Sequence, residues 1–289
     1  MLLDDAAGIP KAEVIAFDAN TRVGSAEHAA EETARIVRTY PAELVDKKID
    51  STLRGHVGAE VAAALAAYRA LRHPDAIAVI APAFPAMGRT TKGGRQYVHG
   101  VAIENGDLKR LFVDAVICDA ETDEDLQAVA QRWLADPRGV LWVGSAGLMS
   151  AVTQCLPKTG RRPPDLPKAD GPIIFAIGSL SQRSREQVSA LRTVQQGRDV
   201  VLVGEPQALA SEIAQRRDHI GGLVLTGGET ARAVLTALGV TALRIAGEVE
   251  TGVPISISEG LLRLPVITKA GDFGNRDTLV KCRAALQAK

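Results

Sequence analysis

Short apolar runs, each closing on small or hydroxylated residues and followed by a helical pattern, are the feature that most constrains this chain. Ala76-Ile77-Ala78-Val79-Ile80-Ala81 is apolar throughout, as a strand covered on both faces requires. Val140 to Val143, Ile173 to Ile177, Val200 to Val203, Gly222 to Leu225 and Val266 to Lys269 read as further strands, and helical patterns follow them. This alternation predicts an α/β fold of two α/β domains with mostly parallel sheets and a cleft between them. In such sheets ligands bind at the carboxyl ends of the strands, so the turns after the apolar runs are the places to look for chemistry.

Composition narrows the classes. The 289 residues are 46% hydrophobic and 24% charged, which suffices for two domains with cores of their own. Lys+Arg (34) equals Asp+Glu (34), so no basic field gathers nucleic acid or an anionic membrane, and 3% aromatics leave little for base stacking. No apolar run approaches the about 18 residues of a membrane span, and Met1-Leu2-Leu3-Asp4-Asp5 lacks the regions of a signal peptide. A cytoplasmic location is expected. Cys118, Cys155 and Cys282 are far apart and in no metal-ligand spacing, and the five histidines form no close pair, so buried thiols and no protein-held metal are expected. Pro157 to Pro172, with Lys158, Arg161 and Arg162, reads as a linker between domains 1–156 and 172–289, its core being 157–171.

Lys47-Lys48-Ile49-Asp50-Ser51-Thr52-Leu53-Arg54-Gly55 follows an apolar run and precedes a helical pattern that runs to about Leu71. An Asp, two hydroxyls and an Arg within five positions suit a polyhydroxylated acid, with Arg54 forking onto a carboxylate while Asp50 and Ser51 take hydroxyls. The plain alternative is that Asp50 or Ser51 caps the helix and the cations are solvated. Pro82 to Thr91, with Arg89, Lys92 and Arg95, reads as an anion or substrate loop or as a Pro-rich connection. Ala19-Asn20-Thr21-Arg22 lies between an expected strand, Glu13 to Asp18, and a helix from Ser25 to Thr39. Gly144-Ser145-Ala146-Gly147 allows close approach of either a ligand or a neighbouring helix. Asp119 to Leu126 is acidic but reads as the opening of a helix rather than a metal site. Thr226-Gly227-Gly228-Glu229-Thr230 begins a helix, where backbone N–H groups can approach phosphate; it fits neither a Walker A loop nor a dinucleotide fingerprint.

Lys47 to Gly55 resembles the signature of the four-carbon acid sugar kinases, whose members phosphorylate threonate, erythronate and 3-oxotetronate. The resemblance continues in order through Gly88-Arg89-Thr90-Thr91, Gly144 to Leu148, Gly178-Ser179-Leu180-Ser181, Thr226 to Ala231 and Lys269-Ala270-Gly271-Asp272-Phe273-Gly274. It implies substrate binding by Arg22, Asp50, Ser51, Arg54 and Arg89, and nucleotide binding by Ser179, Gly227, Gly228, Glu229, Thr230 and Gly271. It also implies ATP with Mg²⁺, small-molecule partners, and phosphoryl transfer between the two domains; a homo-oligomer is compatible with it. The general base is left open, with Asp50 as a candidate. Two departures are expected: Asp4-Asp5-Ala6-Ala7-Gly8 only superficially echoes the family's first βα turn, which looks absent, and the stretch between Glu104 and Asp119 is short. These keep a rival in view, a nucleotide-binding protein of the same fold with reduced or lost catalysis. A nicotinamide oxidoreductase is a weaker rival, lacking the glycine fingerprint.

Overall fold

The computed structural model describes residues 1–3, 12–40, 42–158, 160, 162–179, 181–194 and 197–287. The Asp4 to Gly8 stretch and Leu180 lie outside them. Two compact units are present: residues 19–160, and residues 161–289 together with 1–18. Each is α/β, in agreement with the alternation of the sequence.

In the unit of residues 19–160, α1 (Ala26–Thr39) is capped by the Ser25 hydroxyl, which accepts from the His28 N–H at 3.2 Å. There follow β1 (Val45–Lys48), α2 (Val57–Leu71), β2 (Ile77–Ala81), and an antiparallel sheet of β3 (Arg89–Lys92), β4 (Arg95–Val98) and β5 (Val101–Asp107). The short α3 (Leu108–Leu111) leads to β6 (Ala115–Ile117), α4 (Asp123–Leu134), β7 (Val140–Gly144) and α5 (Ala146–Cys155). β1, β7, β2 and β6 form a parallel sheet in that order. Its central strands are apolar throughout because alternate side chains enter opposite cores. Ala78, Ile80, Leu141 and Val143 pack with Val61 and Leu65 of α2, whereas Val79, Ala81, Val140 and Trp142 pack with Leu126 of α4 and Leu148 of α5. Thr122 and Asp125 form a reciprocal cap at the start of α4, the helix-opening role expected of the acidic run.

The other unit contains β8 (Ile173–Ile177), α6 (Gln182–Val194), β9 (Val200–Val203), α7 (Pro206–Ala214), β10 (Gly222–Thr226), α8 (Gly228–Ala237), β11 (Val240–Glu250), β12 (Val253–Gly260), β13 (Pro265–Lys269) and α9 (Thr278–Gln287). The strand order is β11-β12-β13-β10-β8-β9, with β13, β10, β8 and β9 parallel and the β11–β12 hairpin antiparallel at one end. Leu223 and Leu225 face α7 and α8, and Val224 faces α6 and α9.

Two expectations are corrected at the beginning of the chain. Glu13 to Asp18 is not a strand: among the described residues it contributes an isolated bridge between Phe17 and Leu2, and Val14 is 84% exposed. Residues 1–18 also do not join the domain expected over 1–156. Leu2 pairs antiparallel with Ala242, the Leu3 N–H donates to Thr241 at 2.9 Å, and the Leu3 side chain is buried in the core shared by α7 and α8. The segment satisfies backbone groups that β11 would otherwise expose at the sheet edge.

Candidate functional site

The turns after β1, β7 and β2 lie at the carboxyl ends of three neighbouring parallel strands. In the first, the Leu53 N–H donates to the Asp50 carbonyl at 2.9 Å and Leu53 adopts a left-handed conformation (φ 61°), its side chain packing towards α2. Asp50 caps this turn rather than α2, whose N-cap residue is His56, so neither Asp50 nor Ser51 is the helix cap considered above. The Asp50 carboxylate accepts from the Thr52 N–H at 3.0 Å and from the Thr52 hydroxyl, and Arg54 Nε and Nη2 reach its two oxygens at 3.1 and 2.9 Å. Arg22 Nη2 stands 3.6 Å away. Burial of Asp50 acts to raise its pKa, but the hydrogen bonds from Arg54 and Thr52 outweigh this and hold it well below the usual carboxylate range. Arg54 therefore forks onto Asp50 within the chain, and its guanidinium remains largely exposed.

Beneath the turn, Lys47 Nζ lies 3.0 Å from Glu60, a buried residue of α2, and the Thr21 hydroxyl donates to the same carboxylate. This anchors the Asn20 to Arg22 loop beside Asp50. Arg89 folds back onto the Met87 carbonyl, and its buried Nε has no partner. The small residues of the turn after β7 serve packing. The Ser145 hydroxyl donates to the Ala83 carbonyl at 2.8 Å, and a Cβ at Gly147 would stand 2.6 Å from that oxygen. Sequence inspection missed Gln96: it is fully buried and connects Ser51, Pro82 and Thr91.

In the second unit the turns after β8, β10 and β13 are likewise neighbours, and Ser179, Gly227, Gly228, Thr230 and Gly271 come together. Gly227 is the N-cap of α8 with φ 102°, a conformation that glycine adopts without strain. A Cβ at Gly271 would overlap the Ser179 hydroxyl, and one at Gly178 would overlap that of Thr230. Among the described residues a Cβ at Gly228 meets nothing within 4 Å. Thr230 is buried against Gly178, whereas Glu229 faces solvent.

The Gly271 carbonyl accepts from the Ser184 hydroxyl at 3.0 Å, from Lys269 Nζ at 3.2 Å and from the Ser181 hydroxyl at 3.4 Å. Lys269, which the sequence offers only as the end of a strand and the start of the Lys269 to Gly274 turn, is only 4% exposed. Burial pushes its pKa down to about 8, against the opposing pull of Cys282, Asp272 and Glu250. A groove of about 580 Å³ opens beside Ser179, bounded by Ile177, Val188, Val203, Arg185 and Arg192. Among the described residues no three His, Cys, Asp or Glu side chains group as a metal site, no helix is long and apolar enough to cross a membrane, and the three cysteines are free.

Comparison with known proteins gives a similar division, except that residues 2–18 fall within the sugar-binding match. A family described as a sugar-binding N-terminal domain matches residues 2–113 and 106–152, and one described as a nucleotide-binding C-terminal domain matches residues 206–279. D-threonate kinase of Cupriavidus necator is 32% identical over 373 positions, covering 94% of this chain and 88% of that protein. The chain belongs to the four-carbon acid sugar kinase family. D-threonate kinase of Salmonella typhimurium is another relative, 28% identical, with 93% of this chain and 88% of that protein aligned. A solved structure from Salmonella typhimurium, described as a putative tRNA synthase, superposes with a TM-score of 0.71 over 93% of this chain and 88% of that one; at 17% identity the likeness is one of fold. The alignment of 373 positions exceeds the 289 residues of the chain, so this acid sugar kinase lacks internal stretches that its relative carries. The sugar-binding match is in two pieces that overlap at residues 106–113, within the segment expected to be short.

Proposed function

We propose that this family member transfers the γ-phosphoryl group of ATP to a hydroxyl of a four-carbon sugar acid, D-threonate foremost. The observation that carries the reading is the cluster of turns after β8, β10 and β13, where a side chain at Gly178 or Gly271 would collide, Gly227 at the start of α8 has a positive φ, and a Cβ at Gly228 meets nothing within 4 Å among the described residues. Such a helix start favours phosphate oxygens through unpaired N–H groups and the positive dipole end. Kinship with two D-threonate kinases supports the acceptor.

On this reading the N–H groups of Gly228 and Glu229 hold phosphate oxygens, while the Gly227 N–H is engaged by the Lys269 carbonyl at 2.9 Å; Ser179 borders the nucleotide, and the groove beside it offers apolar walls to the nucleoside. ATP, when bound, supplies the phosphoryl group, and Mg²⁺ arrives on its phosphates. In the other unit Arg22, Arg54 and Arg89 offer guanidinium groups to the acid's carboxylate, while Asp50 and Ser51 orient hydroxyls. With its carboxylate engaged by Arg54 and Thr52, Asp50 is given an orienting role in this reading. Catalysis of this kind rests on placement and charge stabilisation.

An assay of ADP release tests the reading, with D- and L-threonate, D- and L-erythronate and their 3-oxo forms as acceptors. Turnover should be fastest on D-threonate. ADP release no faster with any of these acids than without would overturn the proposal.

A further inference from the structure

We infer that Gln96 is a positioning residue for the acid, holding the Asp50 to Arg54 turn and the Arg89 to Thr91 strand in one fixed arrangement. Gln96 lies on β4, and all of its side chain is withdrawn from solvent. Its Nε2 donates to the Ser51 carbonyl at 2.9 Å and to the Pro82 carbonyl at 3.5 Å, and its Oε1 accepts from the Thr91 hydroxyl at 2.7 Å. The partners dictate the orientation of the amide: two carbonyls require a donor, whereas a hydroxyl can serve either way. One side chain thus joins the turn after β1, the chain leaving β2, and β3.

The geometry has a directional consequence. With its carbonyl drawn inward to Gln96, the Ser51–Thr52 peptide plane is fixed, and its N–H is directed at the Asp50 carboxylate at 3.0 Å. Loss of the amide would free that plane and, through it, the carboxylate that Arg54 grips. Thr91 is tied on its other side by reciprocal backbone bonds with Ala120, at 2.9 and 3.0 Å, so β3 is the fixed partner and the Asp50 turn the one being placed. A buried amide satisfied at both ends is also what stability alone would require; the difference lies in what its removal does to acid binding.

The inference rests on the acid-binding reading proposed above, and the test separates the two. Gln96→Leu removes both ends of the tie. Gln96→Glu keeps the shape and the acceptor but restores a donor towards Ser51 only when protonated. For each, KM for D-threonate, KM for ATP, kcat and amide exchange of residues 50–54 are compared with the parent. Gln96→Leu should raise the acid KM about tenfold or more, leave the ATP KM within about twofold, and speed exchange at 50–54. The Gln96→Glu to parent ratio of acid KM should shrink as pH falls. Unchanged acid KM in both variants, with or without faster exchange, overturns the inference and leaves Gln96 a packing residue. If the parent turns over no acid, the functional reading fails, and unchanged exchange in Gln96→Leu still overturns the tie itself.

Discussion

Arg54 straddles the Asp50 carboxylate, Nε on one oxygen at 3.1 Å and Nη2 on the other at 2.9 Å. A lysine offers a single point charge and cannot reproduce this fork. Arg54→Lys should therefore loosen the turn as well as remove a guanidinium from the acid's reach. Steady-state kinetics should show an acid KM raised by about tenfold or more with the ATP KM unchanged. Equal acid KM values for variant and parent would mean that the fork plays no part in binding.

Among the described residues a Cβ at Gly228 meets nothing within 4 Å, so a side chain there costs the fold nothing but stands where phosphate is proposed to sit. Gly228→Val should melt close to the parent temperature and bind ADP about tenfold or more weakly by calorimetry. Gly271→Ala should lose both stability and affinity, because its methyl group meets the Ser179 hydroxyl. A Gly228→Val protein that binds ADP like the parent removes the phosphate from this helix start.

Asp46, on β1, has a buried oxygen without a partner, and burial pushes its pKa from 3.8 up to about 7. The folded state then holds a proton that the unfolded chain has released, so stability present below pH 3.8 is lost as pH rises towards about 7. Asp46→Asn lacks this loss. Its advantage in unfolding free energy over the parent should widen from pH 5 to pH 7, with a slope of at most about 1.4 kcal/mol per pH unit. Parallel pH curves for the two proteins would refute the assignment.

Glu60 is the carboxylate that faces Lys47 below the Asp50 turn. Glu60→Gln keeps an acceptor for Thr21 but leaves a largely buried ammonium uncompensated, at a cost of about 2–4 kcal/mol in denaturant unfolding. Adding Lys47→Met should recover roughly half of it, since the unpaired charge is the source of the loss. An additive double variant would show that the two residues are not coupled.

Lys269 Nζ supplies positive charge under the Gly271 turn, with its pKa lowered to about 8. ADP affinity should fall as pH passes about 8 in the parent and stay flat across that range in Lys269→Met. The same proton is held by the unfolded chain up to 10.5, so this group makes the parent more stable, not less, between about pH 8 and 10.5. Opposite trends in affinity and stability over one pH interval are the signature to measure by calorimetry and thermal unfolding.

The parts of the fold legible in the sequence were those whose signal is local. Val79 and Trp142 enter one core while Ile80 and Leu141 enter the other, and uninterrupted apolar runs report that directly. The turns at Asp50, Gly227 and Gly271 could be found because strand ends carry their residue types together. Gln96 could not, since its partner Ser51 is 45 residues away and an amide on an antiparallel strand looks like a solvated one. The pairing of Lys47 with Glu60 is likewise invisible in the sequence, since α2 brings together residues that are far apart along the chain. Glu13 to Asp18 misled in the opposite direction: its pattern suits a strand, but Leu2 is the neighbour it pairs with.

The pairing of Leu2 and Leu3 with Thr241 to Leu243 bears on how the polypeptide matures. Translation proceeds from the amino end, and units fold as they emerge. Residues 19–160 are continuous and can be complete while the remainder is still being made. Leu2 and Leu3 are made before that unit yet must wait for β11, which is made after it. During that interval two leucines destined for burial are without the strand that covers them.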